Sequence, residues 1–279
     1  MKTISALLKE SINNLSLCGI YTPRLDSEIL IGHVLGLERS FIIANYDYEV
    51  EEEHEKSFLE LISKRCKRYP IAQIIGKREF WGLDFLVNQH VLDPRPDSET
   101  IILAVLKYYR NKNTRLRIVD FGTGTGCLLI SILHEYKHSI GIGFEKNVNS
   151  YRVALSNIKK HTLLSRAKIV LGSWENSNGL FDLIISNPPY IKKSMLKKLQ
   201  PEVQNEPIIA LDGGSNGLKC YLSILPILKR SLKKGGFAIL EIGESQNNIK
   251  KIIPFYGLIF VSYAYDLSGN KRCIIIRQP

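Results

Sequence analysis

The segment Asp120-Phe121-Gly122-Thr123-Gly124-Thr125-Gly126 constrains the fold of this chain more than any other. It follows a short apolar run, Arg117–Phe121, and opens a stretch, Leu128–Glu135, that reads as a helix. Glycines at alternate positions let the backbone take unusual dihedrals and let a ligand come close to the main chain. In open α/β sheets such turns stand at the carboxyl ends of strands, where ligands bind. The spacing is GxGxG, not the GxGxxG of dinucleotide-binding turns, and no lysine stands in the loop to read phosphate as in a P-loop. That leaves room for a cofactor whose ribose carries no phosphate.

From about residue 98 onward strands and helices alternate. Strands are predicted at Arg117–Phe121, Ile140–Glu145, Lys168–Leu171, Phe181–Ser186, Phe237–Ile242, Leu258–Ala264 and Cys273–Arg277. Helices are predicted at Leu128–Glu135, Val148–His161, Leu218–Leu232 and Ser245–Tyr256. This pattern argues for a mostly parallel sheet covered on both faces. The last two strands are too close in sequence for a helical crossover and should pair antiparallel near Gly269-Asn270.

The first 75 residues read differently. Ile4, Leu7, Leu8, Ile12 and Leu15 fall at helical spacing. Further helices are predicted over 24–37, around Phe41–Tyr46, and from about Glu51 to Tyr69. The last has an acidic first turn and a basic last turn, which suit the helix dipole, and Pro70 stops it. Residues 76–95 change period: Phe80-Trp81-Gly82-Leu83-Asp84-Phe85-Leu86-Val87 reads as two short strands about a Gly-containing turn. Three parts are therefore expected: a helical domain over 1–75, a β-hairpin linker over 76–97 and an α/β domain over 98–279.

At 44% hydrophobic and 23% charged residues the composition is that of a soluble globular protein. No apolar run is long enough to span a bilayer, and the N-terminus carries no apolar leader with a cleavage site. The five cysteines are scattered with no CxxC pair, which supports neither a zinc site nor a redox motif and fits a reducing cytoplasm. The net charge of +11 is uneven: residues 1–75 carry 9 Lys/Arg against 11 Asp/Glu, so the excess lies in the remainder. A basic module can attract nucleic acid or an acidic protein, and it can equally be a solvated lysine-rich surface.

Two further residues point into the same expected cleft. Glu145 ends the second predicted strand, about twenty residues after the glycines, where a carboxylate can accept hydrogen bonds from both ribose hydroxyls. It could also cap the helix that follows. Trp174, after the third strand, is placed either to stack on an adenine ring or to fill the core.

Asn187-Pro188-Pro189-Tyr190 stands at the carboxyl end of the fourth predicted strand. Consecutive prolines remove two backbone donors and stiffen the turn, which leaves the Pro188 carbonyl free to face the cleft. Asn187 adds a side-chain acceptor. Two acceptors match the two hydrogens of an NH2 group, and Tyr190 can lie against a planar substrate. The arrangement suits methylation of an amide or exocyclic amine, whose conjugated lone pair needs orientation more than proton abstraction. It calls for no metal.

These residues, with Glu79-Phe80-Trp81-Gly82 and Asp93-Pro94-Arg95-Pro96-Asp97-Ser98-Glu99, resemble the PrmC/HemK family over nearly the whole chain. That family comprises the S-adenosylmethionine-dependent glutamine methyltransferases of peptide chain release factors. The resemblance implies a seven-stranded Rossmann-like methyltransferase sheet behind a helical substrate-recognition domain. It implies that Gly122, Thr123, Gly124, Thr125 and Gly126 wrap the cofactor's methionine part, with Asp120 supporting the loop. Glu145 would hold the ribose and Trp174 would pack by the adenine. Asn187 and the Pro188 carbonyl would bind the substrate amide, with Pro189 and Tyr190 completing the tetrad. Arg95 and Glu99 are implied as structural or substrate-positioning. Family members usually carry Asp where Glu145 stands, and often Asp where Ser173 stands. The implied substrate is the glutamine of the Gly-Gly-Gln motif in class I release factors, in the cytoplasm. The tetrad is shared with nucleic-acid amino-methyltransferases, and a relative methylates a ribosomal protein glutamine, so both remain alternatives. A separate target-recognition domain for nucleic acid is not evident. A non-catalytic module is disfavoured because loop and tetrad are both intact, and no haem or dinucleotide motif supports redox chemistry.

Overall fold

The computed structural model describes residues 1–279. It divides into two compact units, one of residues 1–77 with 200–205, the other of residues 78–199 with 206–279. No helix is long and apolar enough to cross a membrane.

The smaller unit is helical, with helices at Ile4–Leu17, Pro23–Leu35, Arg39–Ala44, Glu52–Cys66 and Ile71–Ile75. Their apolar faces meet in one cluster that includes Ile4, Leu7, Leu15, Leu30, Ile31, Phe58 and Ile62. The fourth helix ends at Cys66, short of the predicted Tyr69. Arg68 takes a left-handed conformation (φ 67°) and Pro70 follows, so the chain turns before the proline and starts a fifth short helix that periodicity did not reveal. Buried Arg65 pairs with Asp26 at 2.7 Å and with Glu202 at 3.0 Å. Glu202 belongs to the six-residue stretch that the chain contributes here from far downstream.

The larger unit is built on seven strands: β1 Arg117–Phe121, β2 Ile140–Glu145, β3 Ala167–Leu171, β4 Phe181–Ser186, β5 Leu232–Glu241, β6 Ile259–Tyr265 and β7 Lys271–Arg277. Their order across the sheet is β6-β7-β5-β4-β1-β2-β3. β1 to β5 run parallel, and β7 pairs antiparallel with both β5 and β6. Successive side chains alternate faces but are apolar on both. Ile118, Leu183, Ile185, Ile239 and Ile275 meet one layer, while Val119, Ile184, Ala238, Leu240 and Ile274 meet the other. The hairpin Lys77–Phe80/Leu83–Leu86, expected as a linker, is from Arg78 onward folded into this unit, with Phe80 and Phe85 in its core. The helix predicted over Ser245–Tyr256 is broken into two 3-10 turns around a short helix, Ile249–Ile252. Pro254 lacks the amide a continuous helix would need.

Candidate active site

The parallel strands deliver the site residues from their carboxyl ends. β1 passes into the glycine loop, β2 ends at Glu145, β3 leads to Trp174 and β4 into the tetrad. Glycine loop, Glu145, Trp174 and Asn187 line one cavity of about 550 Å³, a size suited to a cofactor. Ser98, Arg95, Ser173, Pro189 and the segment Ile208–Ala210 complete much of its wall.

The three loop glycines do different work. All have positive φ (74°, 56° and 81° at Gly122, Gly124 and Gly126). A Cβ at Gly122 would meet the Trp174 ring at 3.3 Å, and one at Gly126 would meet Ile130 at 3.2 Å. At Gly124 it would meet nothing within 4 Å, so this is the point at which a ligand can reach the backbone. Gly126 is not on the cavity wall, whereas Gly122, Thr123, Gly124 and Thr125 are. Asp120 is buried beneath the loop and accepts a 2.6 Å hydrogen bond from the Thr123 hydroxyl. Burial, aided by the Glu145 charge, pushes its carboxyl up to about 7. Its other oxygen, Oδ1, is buried without a partner.

Glu145 accepts hydrogen bonds from the Gly124 amide (3.1 Å) and the Asn147 amide (2.9 Å). The next helix is capped by Asn147, whose side chain accepts from Asn149 and Ser150. Capping is thus already supplied, and the Glu145 carboxylate faces the cavity and the loop. Trp174 donates its indole N–H to Ser223 Oγ at 3.2 Å and lies 6.4 Å from the Phe121 ring. It is held in place by the protein and still forms part of the wall. The residues present therefore offer a close backbone approach, a carboxylate and an aromatic wall in one space, a set that fits an adenosyl cofactor.

On the opposite side, Asn187 donates its side-chain amide to Ser98 Oγ at 3.1 Å, which leaves Asn187 Oδ1 as a free acceptor. No backbone amide is paired with the Pro188 carbonyl. Asn187 and Pro189 line the cavity; Pro188 and Tyr190 do not. The Tyr190 hydroxyl donates to Glu241 at 3.3 Å, and burial pushes its pKa well above the ordinary tyrosine value. Its backbone is clasped by Gly213, at which a Cβ would sit 2.7 Å from the Tyr190 main chain.

Several participants were not singled out in the sequence. Asn157 donates to the carbonyls of Leu86 and Thr125 and accepts from the Leu86 amide, tying hairpin, helix and glycine loop together. Glu206 holds Arg95 through two 2.8 Å contacts and anchors the segment leading into Ile208–Ala210. Of the two residues whose roles were open, Glu99 accepts from the Trp81 amide at the hairpin turn, and Arg95 stands on the cavity wall. Glu241, a carboxylate directly after the apolar run Phe237–Leu240, carried the one readable signal.

A sheet in this order, with a glycine loop after β1 and an Asn-Pro-Pro-Tyr turn after β4 on a shared cavity, defines a class I S-adenosylmethionine-dependent methyltransferase. A methyltransferase from Pyrococcus furiosus shares the fold, with a TM-score of 0.53 at 18% identity over 77% of this chain and 98% of that one. The family described as PrmC N-terminal domain matches residues 6–76, and that described as methyltransferase small domain matches residues 97–205. The release factor glutamine methyltransferase of Rhodospirillum rubrum is 35% identical over 99% of this chain and 85% of its own length. That of Agrobacterium fabrum is 33% identical over 99% and 98%. The chain belongs to the release factor glutamine methyltransferase family.

Proposed function

We propose that this protein methylates the side-chain amide nitrogen of the glutamine in the Gly-Gly-Gln motif of class I peptide chain release factors, acting in the cytoplasm. The observation that carries this reading is Asn187 Oδ1, a free acceptor on the wall of the cavity that also holds the glycine loop, Glu145 and Trp174, with the unpaired Pro188 carbonyl next to it in the chain.

The Gly122–Thr125 backbone, Glu145 and Trp174 would hold S-adenosylmethionine, which would supply an electrophilic methyl group from its sulfonium and leave as S-adenosylhomocysteine. Asn187 and Pro188 accept the two N–H bonds of the substrate amide and so set the direction of its lone pair. An amide nitrogen is a weak nucleophile because that lone pair is conjugated, and holding the group in an attacking geometry lowers the barrier without a strong base. The proton leaves to solvent after the nitrogen has gained its methyl. Tyr190, tied to Glu241 and clasped by Gly213, braces the tetrad, while Pro189 shapes the slot. The helical unit is the part available to recognise a protein substrate.

The test is mass spectrometry of the Gly-Gly-Gln peptide from an unmethylated release factor incubated with the protein and S-adenosylmethionine. The expected result is one added methyl on the glutamine, lost with Asn187→Ala. Transfer that survives Asn187→Ala, or that lands on nucleic acid or a ribosomal protein instead, sinks the reading.

A further inference from the structure

Glu241 lies at the end of β5, fully buried, and its two carboxylate oxygens have two different hydroxyl donors. Oε2 accepts from Ser98 at 2.6 Å and Oε1 from Tyr190 at 3.3 Å. Ser98 Oγ in turn accepts from the Asn187 side-chain amide. The three groups form a relay whose direction is decided at one end. An ionised carboxylate can only accept, so the single Ser98 proton must point at Glu241. Ser98 then presents lone pairs to Asn187, and only the NH2 end of the amide can meet them. The carbonyl end is left for the cleft.

We propose that Glu241 is a positioning residue that, through Ser98, fixes which end of the Asn187 amide faces the substrate. The proposal rests on the acceptor role given to Asn187 above. An amide turned the other way would aim two N–H bonds at the two N–H bonds of a substrate NH2 group and could not hold it. Buried charge is costly unless it is paired and hydrogen-bonded, and this carboxylate is held by the Ser98 and Tyr190 hydroxyls.

The same relay gives a pH dependence. Burial, with Asp97 adding to it, pushes Glu241 up to about 7 against the pull of Ser98, Arg272 and Tyr190. The other titratable groups facing it are Tyr221, Cys127 and Cys273, all raised by burial. A protonated Glu241 can donate to Ser98 and release the hydroxyl to turn toward Asn187. Methyl transfer should therefore rise as pH increases through about 7, and Glu241→Gln should flatten that step.

The experiment is a two-residue cycle read in two ways. Glu241→Gln gives this position one acceptor and one donor end; with the carbonyl kept by the Tyr190 hydroxyl, the NH2 donates to Ser98, which is then free to donate to Asn187, and the amide turns. A loss of about 10²-fold in kcat/KM is expected, the size that follows misplacement of a positioning group. Asn187→Asp alone sets two carboxylates against one hydroxyl proton and is also impaired. Combined, the two changes restore a consistent relay, Gln to Ser98 to carboxylate, and activity should recover about tenfold over Glu241→Gln. Independently of turnover, proton exchange at the Asn187 side-chain NH2, followed by NMR, should be slow in the native protein and fast in Glu241→Gln. Ser98→Ala, which removes the relay with little change in volume, should speed that exchange as well. Strictly additive losses, or an Asn187 NH2 equally protected in all three forms, would overturn the proposal. If the native protein left release factors unmethylated while the Asn187 amide still turned with Glu241→Gln, the release-factor reading would fall and the positioning role would stand.

Discussion

Ser186 donates its hydroxyl proton to the Phe121 carbonyl at 2.6 Å, and both residues are buried at the ends of adjacent strands. The next residue along one strand is Gly122 and along the other Asn187, so this bond ties the glycine loop to the Asn-Pro-Pro-Tyr turn. Ser186→Ala leaves a buried carbonyl unsatisfied, at a cost of about 1–2 kcal/mol in stability. Because the two half-sites would then drift relative to each other, kcat should fall more than cofactor affinity does. Urea unfolding, a methyl-transfer assay and calorimetric titration with S-adenosylhomocysteine read stability, kcat and cofactor affinity in turn.

Glu145 braces the glycine loop through Gly124 and offers the same carboxylate to the cavity. Removing it with Glu145→Ala should weaken S-adenosylhomocysteine binding by about 1.5–3 kcal/mol, the range for a hydrogen bond to a charged group. Glu145→Asp, one methylene shorter, should keep part of that affinity. Isothermal titration decides it, and an unchanged Kd in the alanine variant would remove Glu145 from the ribose-binding role.

Much of this was readable in advance, for a physical reason. β2 and β4 fall where predicted, since buried parallel strands are apolar runs bounded by turns and ligand-binding residues stand at their ends. The start of β5 was missed because Lys233, Lys234, Gly235 and Gly236 break the apolar signal; they form an irregularity between Leu232, which pairs with Phe181 of β4, and Phe237, where the regular ladder resumes. The segment after the tetrad has no period at all. It is a series of short turns whose anchors, such as Arg95 with Glu206, come from 111 residues away. Ser98 and Glu241 are 143 residues apart. Pairings of that kind follow from topology, and local pattern does not carry them.

Gly213 tests how tightly the tetrad must be held. A Cβ there would lie 2.7 Å from the Tyr190 main chain, and the obstacle is backbone, which cannot swing aside. Gly213→Ala should destabilise the protein by about 1–3 kcal/mol through overpacking. It should also displace the Pro188 carbonyl two residues upstream, cutting methyl transfer while leaving S-adenosylhomocysteine binding near the native level. Equal activity in the variant would show that the turn can shift without consequence.

Asp120 provides a pH prediction whose sign is set by burial. Its carboxyl is pushed up to about 7 in the folded protein, against about 3.9 for an exposed aspartate. Between those values the folded chain holds a proton that the unfolded chain has released. Stability from this group is therefore fully present below about pH 4 and is lost as pH rises through about 7, by at most about 1.4 kcal/mol per pH unit. Asp120→Asn cannot titrate, so it serves as the reference in which other groups, including the lowered histidines His134 and His161, change with pH as before. The difference in unfolding free energy, native minus variant, should fall from pH 5 to about pH 7 and level off above it in matched urea titrations. A flat difference would mean that Asp120 is already ionised at pH 5, and that its partnerless Oδ1 has a donor from solvent or from the loop above it.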